Sequence, residues 1–171
     1  CYTNRTLEKL VPHARRAVHG EMADQLPVLP GELLLTREAI MTAAAKEGTD
    51  EREEPGMVLG SNRELMVNDV SSHRFDISKL DIGNTQNIEL PPIETQLVNV
   101  HCGDTELELR LLPPIGTKGR VLLDMTLNRL KNKAKDLGRK DGRSVWRVFF
   151  LIRDSFASLG PASVLTIHRS Q

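Results

Sequence analysis

Hydrophobic residues recur at helical spacing near the start of the chain and alternate with polar residues in its middle. A spacing of three and four residues places side chains on one face of a helix, so it predicts a helix over residues 6–19. Pro12 marks a kink or a start within this helix. Thr36 is a suitable N-cap for a second helix over residues 36–46, which are rich in alanine.

From residue 64 to residue 112 the pattern changes to alternation, which is typical of strands that bury one face. It is clearest over residues 105–112, where Leu107, Leu109 and Leu111 share one face. A strand over residues 97–102 precedes it, and Gly103-Asp104 between the two is suited to a tight hairpin turn. Shorter alternating pairs predict further strands at Leu65 and Val67, Phe75 and Ile77, and Ile88 and Leu90.

The last third of the chain returns to helical spacing. A stripe of leucine and alanine predicts a helix that begins at Thr117 or Gly119 and ends at Gly138. A second helix is predicted over residues 144–159, in which Trp146 and Phe150 form a second apolar stripe beside the main one. The pattern of residues 163–167 predicts a final strand.

Helices at both ends of an antiparallel β-meander predict an α+β fold with the two C-terminal helices packed on the sheet. We divide the chain into a helical segment (residues 1–47), an acidic flexible loop rich in Gly and Pro (48–62) and an α+β core (63–171), together forming one domain. A length of 171 residues is enough to bury a core without metal or disulfide support.

A net charge of zero hides a strong asymmetry along the chain. Residues 1–109 hold 10 Lys/Arg and 19 Asp/Glu, whereas residues 110–171 hold 13 Lys/Arg and 4 Asp/Glu. Such an asymmetry points to an anionic partner or to self-association. Two arrangements remain open, because the acidic and basic parts can face each other within one molecule or meet between molecules.

The sequence contains no apolar run long enough to cross a membrane, and its two cysteines, Cys1 and Cys102, are too few for a disulfide framework. We therefore expect a cytoplasmic or nuclear protein, including one bound at the periphery of a membrane. The chain begins with Cys1 rather than Met, and a removed leader would change this expectation. The Asn4 glycosylation triplet has meaning only in a secreted protein.

No pattern of residues predicts an active site, a metal site or a cofactor site. His101 and Cys102 are neighbours on a predicted strand, so their side chains point to opposite faces, and we interpret them as part of a half-exposed turn. A cysteine enzyme would need Cys1 or Cys102 beside a histidine from elsewhere in the fold. We expect a protein that is not an enzyme, and the alternative is an enzyme whose site is assembled from distant residues.

The strongest candidate chemistry is cationic. Residues 138–144 (GRKDGRS) are basic, glycine-rich and precede a helix, but their spacing departs from that of a P-loop. They form either a solvated turn with Ser144 as a helix cap or a site where amides and cations hold an anion. Trp146 is either buried or available to stack on a base. The predicted anion- or partner-binding residues are Arg129, Lys131, Lys133, Lys135, Arg139, Lys140, Arg143, Ser144 and Trp146.

These features favour a non-enzymatic interaction or assembly protein. Its basic C-terminal third would contact nucleic acid, an acidic lipid surface, an acidic protein or the acidic half of another copy. Viral matrix proteins and nucleocapsid-associated structural proteins have this character, which is an analogy of charge and size and not of motif. The alternative from the same residues is a dedicated nucleic-acid-binding domain.

Overall fold

A computed structural model of the chain describes residues 4–41, 56–80 and 90–162. The helices are α1 (Asn4–His19), α2 (Met22–Gln25), α3 (Lys118–Asp136), α4 (Gly138–Asp141) and α5 (Arg143–Arg153), with a 3-10 turn at Ile77–Lys79. The strands are β1 (Leu33–Thr36), β2 (Ile40–Met41), β3 (Met57–Leu59), β4 (Glu64–Phe75), β5 (Ile93–Cys102), β6 (Thr105–Arg110) and β7 (Leu159–Pro161).

Five strands form one antiparallel sheet in the order β6–β5–β4–β1–β7, and β2 pairs with β3 in a separate sheet. The predicted α+β fold is therefore confirmed. Gly103 has a positive φ of 60° in the tight turn between Cys102 and Thr105, as the Gly-Asp pair predicts. The short strands predicted near Leu65 and Phe75 are parts of one long strand, β4, but the strand predicted at Ile77 is wrong, because Ile77 begins the 3-10 turn.

The two edges of the sheet meet at Ala157, so the sheet is curled. The Ala157 N–H donates to the carbonyl of Arg110 at 2.7 Å, and the Leu112 N–H donates to the carbonyl of Ala157 at 3.1 Å. The concave face encloses the first core, which draws residues from four strands and is closed by Val28 and Ile40. The two-stranded sheet contributes Ile40 and Leu59 to this core.

A second core lies between the convex face and the C-terminal helices. Phe75 and Ile93 contribute the sheet side, and the stripe predicted for α3 contributes Leu123, Leu130 and Ala134. The close approach of the helix requires a glycine, because a Cβ at Gly119 would lie 2.8 Å from Cγ2 of Ile93. These contacts fix α3 and α5 over the end of the sheet that contains Phe75 and Ile93. The prediction that the C-terminal helices pack on the sheet is confirmed.

The helix predicted over residues 36–46 is wrong where the structure describes it. Thr36 ends β1, and its hydroxyl donates to the Gly60 carbonyl at 2.9 Å and accepts from the Arg63 N–H at 2.8 Å. The side chain that suits a helix cap is thus used in a long-range contact, and Ile40–Met41 form a strand. Residues 42–46 lie outside the described residues.

The helix predicted over residues 144–159 is too long at its C-terminal end. α5 ends at Arg153, after which Ser155 donates to the Leu151 carbonyl at 2.7 Å and Ala157 pairs with the end of β6. Strand pairing therefore overrides helical spacing, and Leu159 begins β7. Within the predicted loop 48–62, Met57–Leu59 form β3. Residues 48–55 and the predicted strand 163–167 lie outside the described residues, as does Ile88, while Leu90, the other residue of that predicted strand, is described and lies outside any strand.

Candidate functional site

Helix α3 positions four of the predicted cationic residues. Thr117 caps the helix, since its hydroxyl oxygen accepts from the Arg120 N–H at 3.3 Å. The cations themselves are Arg129, Lys131, Lys133 and Lys135, and all four are exposed. Each helical residue turns by about 100°, so Lys131 and Lys135 lie on one side of α3 and Arg129 and Lys133 on the opposite side. They do not form one patch.

The predicted anion loop is a compact turn between α3 and α5. Gly138 has a φ of 74°, and α4 presents Arg139 and Lys140 to solvent. Gly142 is the N-cap of α5, so Ser144 lies inside the helix and does not cap it. A Cβ at Gly142 would clash with the carbonyl of Ala134 in α3. The close packing of this turn against α3 therefore requires a glycine at position 142.

One face of α5 combines cations with aromatic rings. Its members recur at intervals of three and four residues, which places them on one side of the helix. We call this the α5 face, and it consists of Arg143, Trp146, Arg147, Phe150 and Arg153. Ser144 lies on the opposite side of the helix from Trp146, since the two are about 200° apart. The α5 face therefore unites two predicted residues, Arg143 and Trp146, and excludes a third.

The rings of the α5 face are stacked and partly exposed. The centroids of Trp146 and Phe150 are 5.7 Å apart with an interplanar angle of 26°. Trp146 also packs edge-to-face on Phe149 of the second core, while Phe150 is 42% exposed. The Arg153 guanidinium lies 4.7 Å from the centre of the Phe150 ring, in cation–π contact. Trp146 is therefore half-buried, and it packs against the more exposed ring of Phe150.

Arg147, Phe150 and Arg153 are absent from the predicted site, although the sequence contains the signal that identifies them. Their spacing from Arg143 and Trp146 is that of a single helical face, and it becomes visible once residues 143–153 are treated as one helix. The sequence pattern alone favours the lysines of α3 as the binding site. These lysines are more numerous, but they lie on two opposite sides of the helix.

Among the described residues, the ion pairs of α3, α4 and α5, which we call the basic helices, do not involve the acidic half of the chain. Two ion pairs occur there between described residues: Arg120 with Asp124 at 2.9 Å and Arg153 with Asp154 at 2.6 Å. Both are local pairs. Within the described ranges, several exposed cations have no carboxylate partner, namely Arg129, Lys131, Lys135, Arg139, Lys140, Arg143 and Arg147.

Arg110 does not belong to the exposed cations, although the alternation in β6 predicts it on the outer face. It is 5% exposed, its Nη1 donates to the Ser155 carbonyl at 3.1 Å, and its guanidinium lies 5.1 Å from the centre of the Phe75 ring. The end of α5 covers that face of β6 at this point. Arg110 therefore marks the edge of the covered part of the sheet.

Beyond that edge the uncovered face of the sheet is acidic. Glu106 and Glu108 share a face of β6, and Glu108 lies opposite Asn99, which lies opposite Asp69. Asp104 follows in the turn. We call these four exposed residues the acidic hairpin surface: Asp69, Asp104, Glu106 and Glu108. Residues 90–109, which include three of these four acids, contain no Lys or Arg.

The acidic hairpin surface begins where the cover of α5 ends. Glu108 is two residues from Arg110 in β6, and Arg110 donates to the Ser155 carbonyl just after α5. Among the described residues, no ion pair joins the acidic hairpin surface to α3, α4 or α5. The structure therefore presents two surfaces of opposite sign that are not paired with each other.

The histidine, cysteine and carboxylate side chains are dispersed among the described residues. Among the residues that the structure describes, no three His, Cys, Asp or Glu side chains are grouped in a way that would hold a metal ion. Cys102 is a half-buried free thiol at the end of β5, beside the exposed His101. Cys1 lies outside the described residues.

The fold and its surfaces define a class of protein, a small α+β domain with a curled antiparallel sheet and segregated charge. Neither a protein-family model nor a curated protein sequence matches the chain. Among the described helices, none has the length and apolar character that a membrane span requires. Function must therefore be argued from the surfaces themselves.

Proposed function

We propose that this is a non-enzymatic interaction protein that self-associates head to tail. The acidic hairpin surface of one copy docks on the α5 face of the next copy. The observation that carries the proposal is the segregation of charge: two exposed surfaces of opposite sign that form no ion pair with each other among described residues. Because the two surfaces differ, their contact extends into rings or filaments.

The strength of this association depends on several charges acting together. An exposed ion pair contributes less than about 1 kcal/mol, because water screens it and two side chains must be ordered. Arg143 and Arg147 lie one helical turn apart, and Glu106 and Glu108 lie on one face of β6, so each surface offers paired contacts. We expect weak association that depends strongly on ionic strength.

A charge-reversal experiment tests this arrangement. One variant, Arg143→Glu with Arg147→Glu, reverses the paired arginines of the α5 face, and a second, Glu106→Lys with Glu108→Lys, reverses the paired glutamates of the acidic hairpin surface. In each variant alone the paired residues of the two surfaces carry like charges, so light scattering at low salt should give the monomer mass. An equal mixture of the two restores opposite charges at every contact and should regain the mass of the wild-type assembly.

Matched controls separate this outcome from a general effect of charge. Arg63→Glu with Arg74→Glu makes the same change in net charge at exposed cations outside the basic helices, and it should leave assembly intact. Circular dichroism of each variant should match the wild type, since all four surface positions are exposed. Variants that keep the wild-type mass, or a mixture that stays monomeric, would overturn the proposal.

Single-stranded nucleic acid is the second candidate partner, and the stacked pair Trp146–Phe150 favours it. A partly exposed ring flanked by arginines provides both base stacking and phosphate contacts. Self-association needs the cations of the α5 face but not its rings, whereas a nucleic acid needs both. Removal of the Phe150 ring therefore distinguishes the two candidates.

A further inference from the structure

A cleft of about 490 Å³ opens on the concave face of the curled sheet, between β5 and the segments that flank β7. Leu34, Leu111 and Ala157, which belong to the first core, form its apolar floor. The cleft contains no residue of the α5 face or of the acidic hairpin surface. Ligand binding in this cleft is therefore independent of the proposed self-association.

Three charged side chains line the cleft, and two of them already have partners. Arg120 binds Asp124 through Nε at 2.9 Å and also donates to the Pro113 carbonyl at 3.4 Å. Glu94 lies 3.8 Å from Arg74 in an exposed ion pair. The third, Arg37, has no carboxylate partner in the described part of the chain. The cleft therefore holds one cation whose charge is not offset.

Gly160 determines where the Arg37 guanidinium lies. A Cβ at position 160 would come within 2.8 Å of Arg37 Nη2 and closer still to Nε. Gly160 has no positive φ, so its backbone conformation does not demand glycine. The absent side chain instead leaves room for the guanidinium to lie against the backbone of β7, where both residues line the cleft.

We infer that this cleft binds a small amphipathic carboxylate. The planar guanidinium of Arg37 is suited to hold the carboxylate at two points, and the apolar floor of Leu34 and Leu111 covers an aliphatic body. The volume falls within the range of small-molecule sites. An unneutralised arginine beside an apolar floor selects an anion with a hydrophobic tail over either a neutral lipid or a fully polar anion.

Calorimetric titration of the full chain with octanoate tests the assignment, and 1-octanol of the same chain length is the neutral comparison. We expect octanoate to bind at least about tenfold more tightly than octanol, because only the acid makes charge-assisted hydrogen bonds. Arg37→Gln should remove that preference by weakening octanoate and sparing octanol. Arg63→Gln, which removes an exposed arginine outside the cleft, should change neither affinity.

The outcomes separate cleanly. Octanoate and octanol binding with equal affinity would overturn the assignment, as would the absence of octanoate binding. Unchanged octanoate affinity in Arg37→Gln would place the ligand elsewhere and would also overturn it. Gly160→Ala provides a second variant: it displaces the guanidinium without removing its charge, and it should weaken octanoate binding while Gly60→Ala, in open space, leaves binding unchanged.

Discussion

Arg15 of α1 and Glu32 before β1 bind each other at two points, with Nε–Oε1 at 2.6 Å and Nη2–Oε2 at 3.0 Å. The Glu32 side chain is 3% exposed and the Arg15 side chain 12% exposed. The same carboxylate accepts from the Leu29 N–H, and Arg15 also donates to the carbonyls of Ala23 and Leu26. The N-terminal helix is thus held to the sheet by charges satisfied within their own half of the chain.

Breaking this ion pair should destabilise the fold. Glu32→Gln leaves a nearly buried arginine without its charge partner, and we expect a loss of about 3 kcal/mol in the free energy of unfolding, measured in urea. Asp24→Asn is the control, since its pair with Arg16 is exposed and should contribute less than about 1 kcal/mol. Equal losses in the two variants would show that Arg15 does not depend on Glu32.

The glycine between α4 and α5 should be sensitive to a single methyl group. Gly142→Ala places a Cβ against the carbonyl of Ala134 in α3, so α3 and α5 must separate. We expect this to cost about 1–3 kcal/mol in the free energy of unfolding. Gly60→Ala meets no atom within 4 Å and should change that free energy by less than about 1 kcal/mol. A Gly142→Ala protein as stable as Gly60→Ala would contradict the described packing of α3 on α5.

Two hydroxyl residues near helix starts should behave differently. Thr117 caps α3 through its side chain, so Thr117→Ala should lower the free energy of unfolding by about 1 kcal/mol. Ser144 makes no cap hydrogen bond in α5, so Ser144→Ala should fall within about 0.5 kcal/mol of the wild type. The reverse order of losses would restore the sequence-based prediction that Ser144 is the cap.

Local patterns were sufficient to predict the parts of the fold whose contacts are local. The leucine alternation predicts β6, Gly103-Asp104 predicts the hairpin, and Thr117 predicts the start of α3. Contacts between distant segments account for the errors. Thr36 bonds to residues 60 and 63, and Ala157 pairs with the end of β6, so each departs from its local preference.

The candidate site was predictable in charge but not in arrangement. The excess of Lys and Arg in the last third is visible in the sequence, and most of these side chains are exposed. Arg110 is the exception, because the covering by α5 is a tertiary contact that alternation within β6 does not reveal. The acidic hairpin surface likewise depends on strand register, which places Asp69 of β4 and Glu108 of β6 on either side of Asn99 in β5.

Tryptophan fluorescence should detect nucleic acid bound at the α5 face, because Trp146 is the sole tryptophan of the chain. If single-stranded DNA binds there, a thymidine oligomer of about 15 nucleotides should quench the tryptophan fluorescence, and Phe150→Ala should weaken binding about tenfold by removing a stacking ring. Leu137→Ala removes an exposed apolar side chain just after the end of α3 and should leave the affinity unchanged. Without quenching or binding, the second candidate function fails, and self-association is unaffected.

Light scattering of the wild-type protein across a salt series tests the central claim most directly. The Debye length falls from more than about 10 Å below 0.1 M salt to about 3 Å at 1 M, so attraction between exposed surfaces is lost over this range. The account predicts an average mass well above the monomer at low salt that falls to the monomer mass as salt rises. A monomer at every salt concentration, or an assembly whose mass does not respond to salt, would contradict it.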